Sequence, residues 1–162
     1  MMNPYFPMFV DISGKKIVVV GGGKIAQRRV ETLLGFTENI LVAAPEITKE
    51  IRELYEAERI QWVETPYHTE VLQDADMVLA ATDDAQCNEQ VVEDCHERGI
   101  LVNAAHKKEL CDFYFPGIIK KENLVVGITS SGLSHGEVRQ VREQIENTLD
   151  SLSPLSFPAD TR

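Results

Sequence analysis

The sequence predicts an α/β fold in which a doubly wound parallel sheet is followed by a small hairpin-plus-helix segment. Short apolar runs rich in Val, Ile and Ala alternate with segments of helical period as far as Ala105, as in a sheet whose strands are joined by crossover helices. The first run, Lys15–Val20, ends in consecutive β-branched residues without polar alternation, which is typical of a strand covered on both faces. A glycine cluster follows that run directly.

The individual elements follow from where the apolar residues recur. Between the apolar runs these residues recur at intervals of three and four, which predicts amphipathic helices. Thr48 is a typical residue to begin a helix and Gly99 a typical residue to end one. The predicted strands are Lys15–Val20, Ile40–Ala44, Ile60–Glu64, Met77–Thr82 and Leu101–Ala105, and the predicted helices are Lys24–Leu34, one that begins after Thr48, a short turn near Val71, and Asn88–Arg98.

The pattern changes after Pro116. Two short apolar strands flank a polar turn at 120–123, which predicts a β-hairpin. A helix is predicted over Glu137–Leu152, and its narrow apolar stripe is typical of a seam between two helices, so we expect a homodimer. The stripe consists of Val138, Val141, Ile145, Leu149 and Leu152. We therefore expect a sheet domain over residues 1–112, a dimerisation and substrate-cleft segment over 113–152, and a tail over 153–162 that leaves the fold.

The composition narrows the classes of function. A chain of 162 residues, 43% hydrophobic and 26% charged, fits one globular domain with an appendage. The net charge of −10 argues against nucleic-acid binding, because a phosphate footprint requires a basic face. No run approaches the ~20 apolar residues of a membrane span, and the N-terminus lacks the basic start of a signal peptide. The three cysteines include no CxxC pair, so we expect a reducing, cytoplasmic location.

The glycine cluster carries the first functional signal. Gly21 and Gly23, followed by the small Ala26, form a GxGxxA pattern between a predicted strand and a predicted helix, the context that a Rossmann dinucleotide site requires. The first glycine permits the tight turn, and the second lets the backbone approach a pyrophosphate at the helix N-terminus. The residues expected to hold the cofactor here are Gly21, Gly22, Gly23, Lys24 and Ile25.

Two further strand ends are expected to line the cofactor. Ligands bind at the carboxyl ends of strands in such sheets, where the second strand leads into Ala44, Pro45 and Glu46 and the fourth into Ala81, Thr82 and Asp83. A ribose-binding acid is expected about 20 residues after the loop; Glu46 lies slightly late and follows a proline. The second strand carries no arginine for a 2′-phosphate, so NAD is favoured over NADP by default. Asp83 could equally belong to an ordinary helix cap.

Several segments together resemble the precorrin-2 dehydrogenases, which form the NAD-binding module of siroheme synthase. These segments are MFVDISGKKIVVVGGGKIAQRRVETLL, APEIT, AATDDAQCNEQV, LVNAAHKKELCDFYFPGII and LVVGITSSG, in the family's order over about Met8–Leu152. The resemblance implies NAD-dependent oxidation of precorrin-2 to sirohydrochlorin. It also implies a homodimer formed through the segment after the Rossmann core.

One position departs from the family pattern. Where members usually carry an aspartate proposed as the catalytic acid/base, this chain has His106. Free imidazole titrates at about 6.5 and aspartate at about 3.9, so histidine is a competent proton acceptor near neutral pH. The alternatives are a non-catalytic turn histidine, Asp112 as the acid, or a role for His135. A non-catalytic module that binds NAD or a tetrapyrrole also remains an alternative function.

The substrate implied by the resemblance carries many carboxylates, and a chain of charge −10 must gather cations locally to bind it. Lys107 and Lys108 follow His106 directly and are expected to contact these carboxylates, as are the hydroxyls of Ser130 and Ser131, which match the family's SSG. Solvated loop lysines and plain turn serines are the alternatives. Four further cations are expected to join Lys107 and Lys108 in a ring of positive charge around the substrate, here called the collar: Lys120, Lys121, Arg139 and Arg142.

Some relatives also insert iron into the product. This chain shows no cluster with metal-ligand spacing and no resident metal site is expected. Its sequence stops soon after Leu152, whereas bifunctional relatives continue into a further helical domain. We therefore expect dehydrogenation, with metal insertion weak or done by another protein.

Overall fold

The computed structural model describes residues 6–131 and 133–151. These residues divide into two compact units, Met8–Phe115 and a second unit that contains Phe6, Pro7 and the described residues from Pro116 onward. The first unit contains a five-stranded parallel sheet in the order β3-β2-β1-β4-β5. Its strands are β1 (Ile17–Val20), β2 (Ile40–Ala43), β3 (Gln61–Val63), β4 (Met77–Ala80) and β5 (Leu101–Ala104). Its helices are α1 (Lys24–Leu33), α2 (Lys49–Glu56) and α3 (Ala85–Arg98), with 3₁₀ turns at Thr69–Leu72 and Lys108–Leu110.

The uninterrupted apolar run of β1 exists because both faces of the sheet are covered. Ile17 and Val19 point to the face on which α1 and α2 pack, while Val18 and Val20 point to the face covered by α3, since successive side chains alternate across a strand. All four side chains are buried. The predicted doubly wound sheet is therefore confirmed.

Polar side chains set two of the element boundaries that differ from the predictions. The first strand begins at Ile17 rather than Lys15, because the N–H of Lys16 is bound by the carboxylate of Asp76 at 2.9 Å. α3 begins at Ala85 rather than Asn88, because Asp84 accepts hydrogen bonds from the free N–H groups of the first turn. Gly99 ends α3 in the left-handed conformation, as expected.

The second unit contains the predicted hairpin and helix. β6 (Gly117–Lys121) pairs with β7 (Leu124–Ile128) in antiparallel register, and α4 spans His135–Ser151. α4 packs on β6 at Gly117, where a Cβ would lie 2.9 Å from a methyl carbon of Val138. The predicted helix end at Leu152, the tail over 153–162 and the side chain of His135 lie outside the described residues.

No helix among residues 6–131 and 133–151 is long and apolar enough to cross a membrane.

Candidate functional site

The sheet order places three candidate segments at one edge. The chain runs outward from β1 through β2 to β3 and then restarts on the other side with β4 and β5. Parallel strands end at the same edge, and ligands of such sheets bind where the strand order reverses. The glycine loop after β1, Ala81 after β4 and the turn bearing His106 after β5 therefore lie side by side, with neighbouring strands about 4.8 Å apart.

The three glycines of the loop serve different purposes. Gly21 has a φ of +117°, and a Cβ there would lie 2.5 Å from the carbonyl oxygen of Ala81. A Cβ on Gly22 would collide with the backbone carbonyl of Glu46. At Gly23, by contrast, a Cβ would meet no protein atom within 4 Å. Packing within the chain therefore accounts for the first two glycines, and the third leaves open space at the start of α1.

That open space fits a dinucleotide pyrophosphate. Gly23 is the N-cap of α1, no side chain caps the helix, and its first turn carries no acidic residue. Uncapped N–H groups at a helix N-terminus favour an anion. Lys24 and Ile25 are exposed in this first turn, and Ala26 is buried beneath it. The residues present therefore fit the cofactor that the glycine pattern predicts.

The loop after β2 is fixed against the glycine loop. The N–H of Thr48 donates to the carbonyl of Gly22 at 3.0 Å, and the hydroxyl of Thr48 caps α2 by accepting from Ile51. The carbonyl of the buried Ala44 accepts a hydrogen bond from the Trp62 indole at 3.0 Å. The next two residues, Pro45 and Glu46, are exposed.

At the end of β4 the structure reveals a residue that the sequence analysis missed. Asn88 is 1% exposed, and its side chain binds Thr82 through both its oxygen and its nitrogen. Ala81 is buried and Asp83 exposed, whereas Asp84 is the helix cap. The signal was present in the AATDDAQCN segment, since a cap at Asp84 places Asn88 in the first turns of a helix, facing the strand end.

The turn after β5 carries His106 and the two lysines. The N–H of Ala105 donates to the carbonyl of Ala80 at 2.9 Å, which holds the start of the turn against β4. His106, Lys107 and Lys108 are exposed. Lys107 forms an ion pair with Glu89 of α3 at 3.0 Å, and this hydrogen-bonded pairing lowers the pKa of Glu89.

Asp112, the alternative acid, points back along β5. Its carboxylate accepts from the N–H of Val102 at 2.9 Å and lies 3.1 Å from the imidazole of His96. Its own N–H donates to the carbonyl of Val102, so residue 112 pairs with the free edge of β5. Its two neighbours also bind β5. The thiol of Cys111 donates to the carbonyl of Ala104 and accepts from its N–H, and the carbonyl of Phe113 accepts from the side-chain amide of Asn103. The CDF segment thus covers the outer side of β5, the last strand of the sheet.

An arginine on α1 also lies near this segment. The guanidinium of Arg29 stacks on the ring of Phe115, 4.1 Å from its centroid. Burial lowers the pKa of Arg29 to about 10, and its buried Nη1 has no hydrogen-bond partner among the described residues. Nothing in the sequence indicates that a helical arginine such as Arg29 is buried, so no role is predicted for it.

The second unit contains the remaining candidates. The hydroxyl of Ser130 donates to the carbonyl of Ser134 and accepts from its N–H, each at 3.0 Å. Ser131 is half-buried with a φ of +56°. Three of the expected collar cations have carboxylate partners in this unit, namely Lys121 with Asp150, Arg139 with Glu143 and Arg142 with Glu146.

Within the described ranges there is no group of three or more His, Cys, Asp or Glu side chains that could hold a metal ion.

Known proteins resemble this chain in sequence and in fold. The "Probable multifunctional siroheme biosynthesis protein HemA" of Ruminiclostridium josui is 43% identical over 141 residues, which are 86% of this chain and 27% of that protein. The siroheme synthase of Mannheimia succiniciproducens is 37% identical over 145 residues, 90% of this chain and 30% of the synthase. The chain thus spans less than a third of the length of these two relatives.

In fold, the structure of "SirC, precorrin-2 dehydrogenase" superposes with a TM-score of 0.76 at 24% identity, over 89% of this chain and 70% of that one. The family NAD_binding_7, described as "Putative NAD(P)-binding", matches residues 8–117. This match includes the whole sheet, the glycine loop and the turn after β5. The chain therefore belongs to this NAD(P)-binding family.

Proposed function

We propose that this chain oxidises precorrin-2 to sirohydrochlorin with NAD as the hydride acceptor. The observation that carries the proposal is the shared carboxyl edge of the sheet, where the open Gly23 site follows β1 and the exposed His106 turn follows β5, with only β4 between these two strands. The printed names of the relatives, siroheme synthase and precorrin-2 dehydrogenase, support the choice of substrate.

The chain's own residues would hold the cofactor as follows. The N–H groups at the start of α1 bind the pyrophosphate, and Gly23 lets it approach the backbone. Glu46, exposed beside the glycine loop, accepts hydrogen bonds from ribose hydroxyls, which favours NAD over a 2′-phosphorylated cofactor. Ala81, Thr82 and Asp83 form the neighbouring wall. When bound, NAD supplies a nicotinamide ring that takes up a hydride.

His106 is proposed as the proton acceptor. Oxidation of precorrin-2 removes two hydrogens: one leaves with its bonding electron pair as hydride to the nicotinamide, and the other leaves as a proton. The position of His106 just after β5 is the place at which ligands of such a sheet meet side chains. An imidazole takes up that proton near neutral pH and returns it to solvent.

The carboxylates of precorrin-2 are proposed to contact Lys107 and Lys108 and the hydroxyls of Ser130 and Ser131. For this contact Ser130 would exchange the bond that it donates to the carbonyl of Ser134 for one to a carboxylate. Both lysines lie in the exposed turn that follows His106. In a chain of net charge −10, such local cations orient a polyanion more than they bind it, because exposed ion pairs contribute only about 0–1 kcal/mol.

We also propose a cytoplasmic homodimer. The apolar stripe of α4 stays incompletely covered in the chain, with Val141 42% exposed and Val138, Ile145 and Leu149 half-buried, so a second copy would bury it. The three cysteines are free, which suits a reducing compartment. Cell fractionation tests the location, and light scattering at micromolar concentration tests the dimer.

The competing function is a module that binds NAD or a tetrapyrrole without turnover, and the observation that favours it is the histidine in place of the family's aspartate. The experiment that separates the two is incubation with NAD and enzymatically made precorrin-2, monitored by the absorbance of sirohydrochlorin. Formation above the rate without protein supports the dehydrogenase. Binding of both ligands without product would favour the competing function.

A further inference from the structure

The side chain of Asn88 is hydrogen-bonded through both its oxygen and its nitrogen at the carboxyl edge of the sheet. It is 1% exposed. Its Oδ1 accepts from the N–H of Thr82 at 3.0 Å and lies 2.8 Å from the Thr82 hydroxyl, and its Nδ2 donates to the carbonyl of Thr82 at 3.0 Å. All of these bonds go to one residue, so this buried amide fixes both the backbone and the side chain of Thr82.

Thr82 needs such a partner because of where it lies. β4 ends at Ala80, so the N–H and carbonyl of Thr82 no longer bond to a neighbouring strand, and backbone groups near the interior must find another partner. The amide of Asn88 supplies one donor and one acceptor in a single plane. It thereby takes the place of the two hydrogen bonds that a neighbouring strand would otherwise make to Thr82.

Holding Thr82 also shapes the glycine loop. The carbonyl of Ala81 and the N–H of Thr82 are the atoms that a Cβ on Gly21 would meet, at 2.5 and 2.9 Å. The peptide between Ala81 and Thr82 is therefore one wall of the loop that leads to the N-terminus of α1. A shift of this peptide would move the wall past which the cofactor is proposed to run.

We propose that Asn88 is a positioning residue for cofactor binding, which acts through Thr82 by holding the end of β4 against the glycine loop. The inference rests on the proposed use of this edge by NAD. It assigns Asn88 no contact with the cofactor. A buried side chain with its hydrogen bonds satisfied keeps a loop rigid before the ligand arrives.

The test measures NAD affinity without any tetrapyrrole, by calorimetric titration of the full chain. Asn88→Leu should raise the Kd for NAD about tenfold or more, in line with the loss of a buried hydrogen-bonded amide. The matched control is Gln90→Leu, which removes an amide of the same helix that binds Asp94 at 3.0 Å, and it should change the Kd less than about twofold.

Asn88→Asp keeps the shape of the side chain and supplies a second readout if the leucine variant does not fold. Its carboxylate cannot donate to the carbonyl of Thr82, but the protonated acid can. The Kd of this variant should therefore fall toward the wild-type value as the pH is lowered, while the wild-type chain, with the same neighbouring Asp83 and Asp84, sets the baseline. Burial raises the pKa of a carboxyl, which brings this recovery into an accessible range.

Wild-type affinity in folded Asn88→Leu, or a Kd for Asn88→Asp that follows the wild-type pH profile, would overturn the positioning role. Failure of the unmodified chain to bind NAD would instead overturn the proposed function, and the inference with it. A raised Kd in Gln90→Leu equal to that in Asn88→Leu would also overturn the role, because it would assign the effect to the stability of α3.

Discussion

Substitution of the glycine loop separates the needs of folding from those of cofactor binding. Gly23 has φ −83° and ψ −171°, a conformation open to any residue, and a Cβ there meets no protein atom within 4 Å. Gly23→Ala loses about 0.5–1 kcal/mol of N-cap preference and gains about 0.4–1 kcal/mol from a less flexible unfolded chain. The two effects nearly cancel, so we expect the free energy of unfolding to change by less than about 0.5 kcal/mol.

The opposite result is expected at Gly21. Its φ of +117° and the carbonyl of Ala81 at 2.5 Å from an added Cβ make Gly21→Ala strained, at a cost of order 1–3 kcal/mol. Gly14→Ala is the matched control, since a Cβ there also meets nothing within 4 Å and Gly14 precedes β1 at the opposite edge of the sheet.

The assay combines urea denaturation with calorimetric titration of NAD. Gly23→Trp should fold like the wild-type chain and lose NAD binding, because the indole fills the space that the pyrophosphate needs. Gly14→Ala should keep both properties. Wild-type NAD affinity in a folded Gly23→Trp variant would refute the assignment of the cofactor to this loop, and an unfolded Gly23→Ala variant would refute the reading of that space as open.

Three further predictions concern turnover and assembly. His106→Ala should lose most of the dehydrogenase activity with NAD affinity intact, whereas His106→Asp should retain activity with its pH profile moved toward acid; full activity in the alanine variant would reject the role. Lys107→Gln should raise the KM for precorrin-2, and Glu89→Gln should lower it by releasing the lysine from its ion pair, by about twofold to fivefold in each case; unchanged KM values would remove Lys107 from the substrate site. Ile145→Asp should convert the dimer into monomers, as measured by light scattering. If the wild-type chain itself has the mass of a monomer at micromolar concentration, the proposed dimer is contradicted.

The sheet could be predicted because its signal is local and repeated. Each of the five strands is a short apolar run, and the alternation of Ile17 and Val19 with Val18 and Val20 between two covered faces explains why β1 shows no polar positions. The predicted start of α3 at Asn88 was wrong by three residues, because Asp84 caps the helix and starts it at Ala85, before the apolar residues from which the helix was predicted.

The site was only partly predictable, since its supporting contacts join different elements and depend on how those elements pack against one another. The glycine spacing predicts a dinucleotide loop, but nothing in the sequence indicates that Gly22 packs against the carbonyl of Glu46. The bonds between Asn88 and Thr82 depend on how α3 lies on β4. The burial of Arg29 against Phe115 likewise depends on the path of the chain after β5.

The stoichiometry of the reaction tests the central claim most directly. The full chain is incubated with NAD and enzymatically made precorrin-2, and the formation of NADH and of sirohydrochlorin is monitored simultaneously by absorbance. We predict that the two products form in equal amounts and that the Gly23→Trp variant forms neither above the rate without protein. Precorrin-2 that is consumed no faster than in the absence of the protein, or sirohydrochlorin that forms without NADH, would contradict the account.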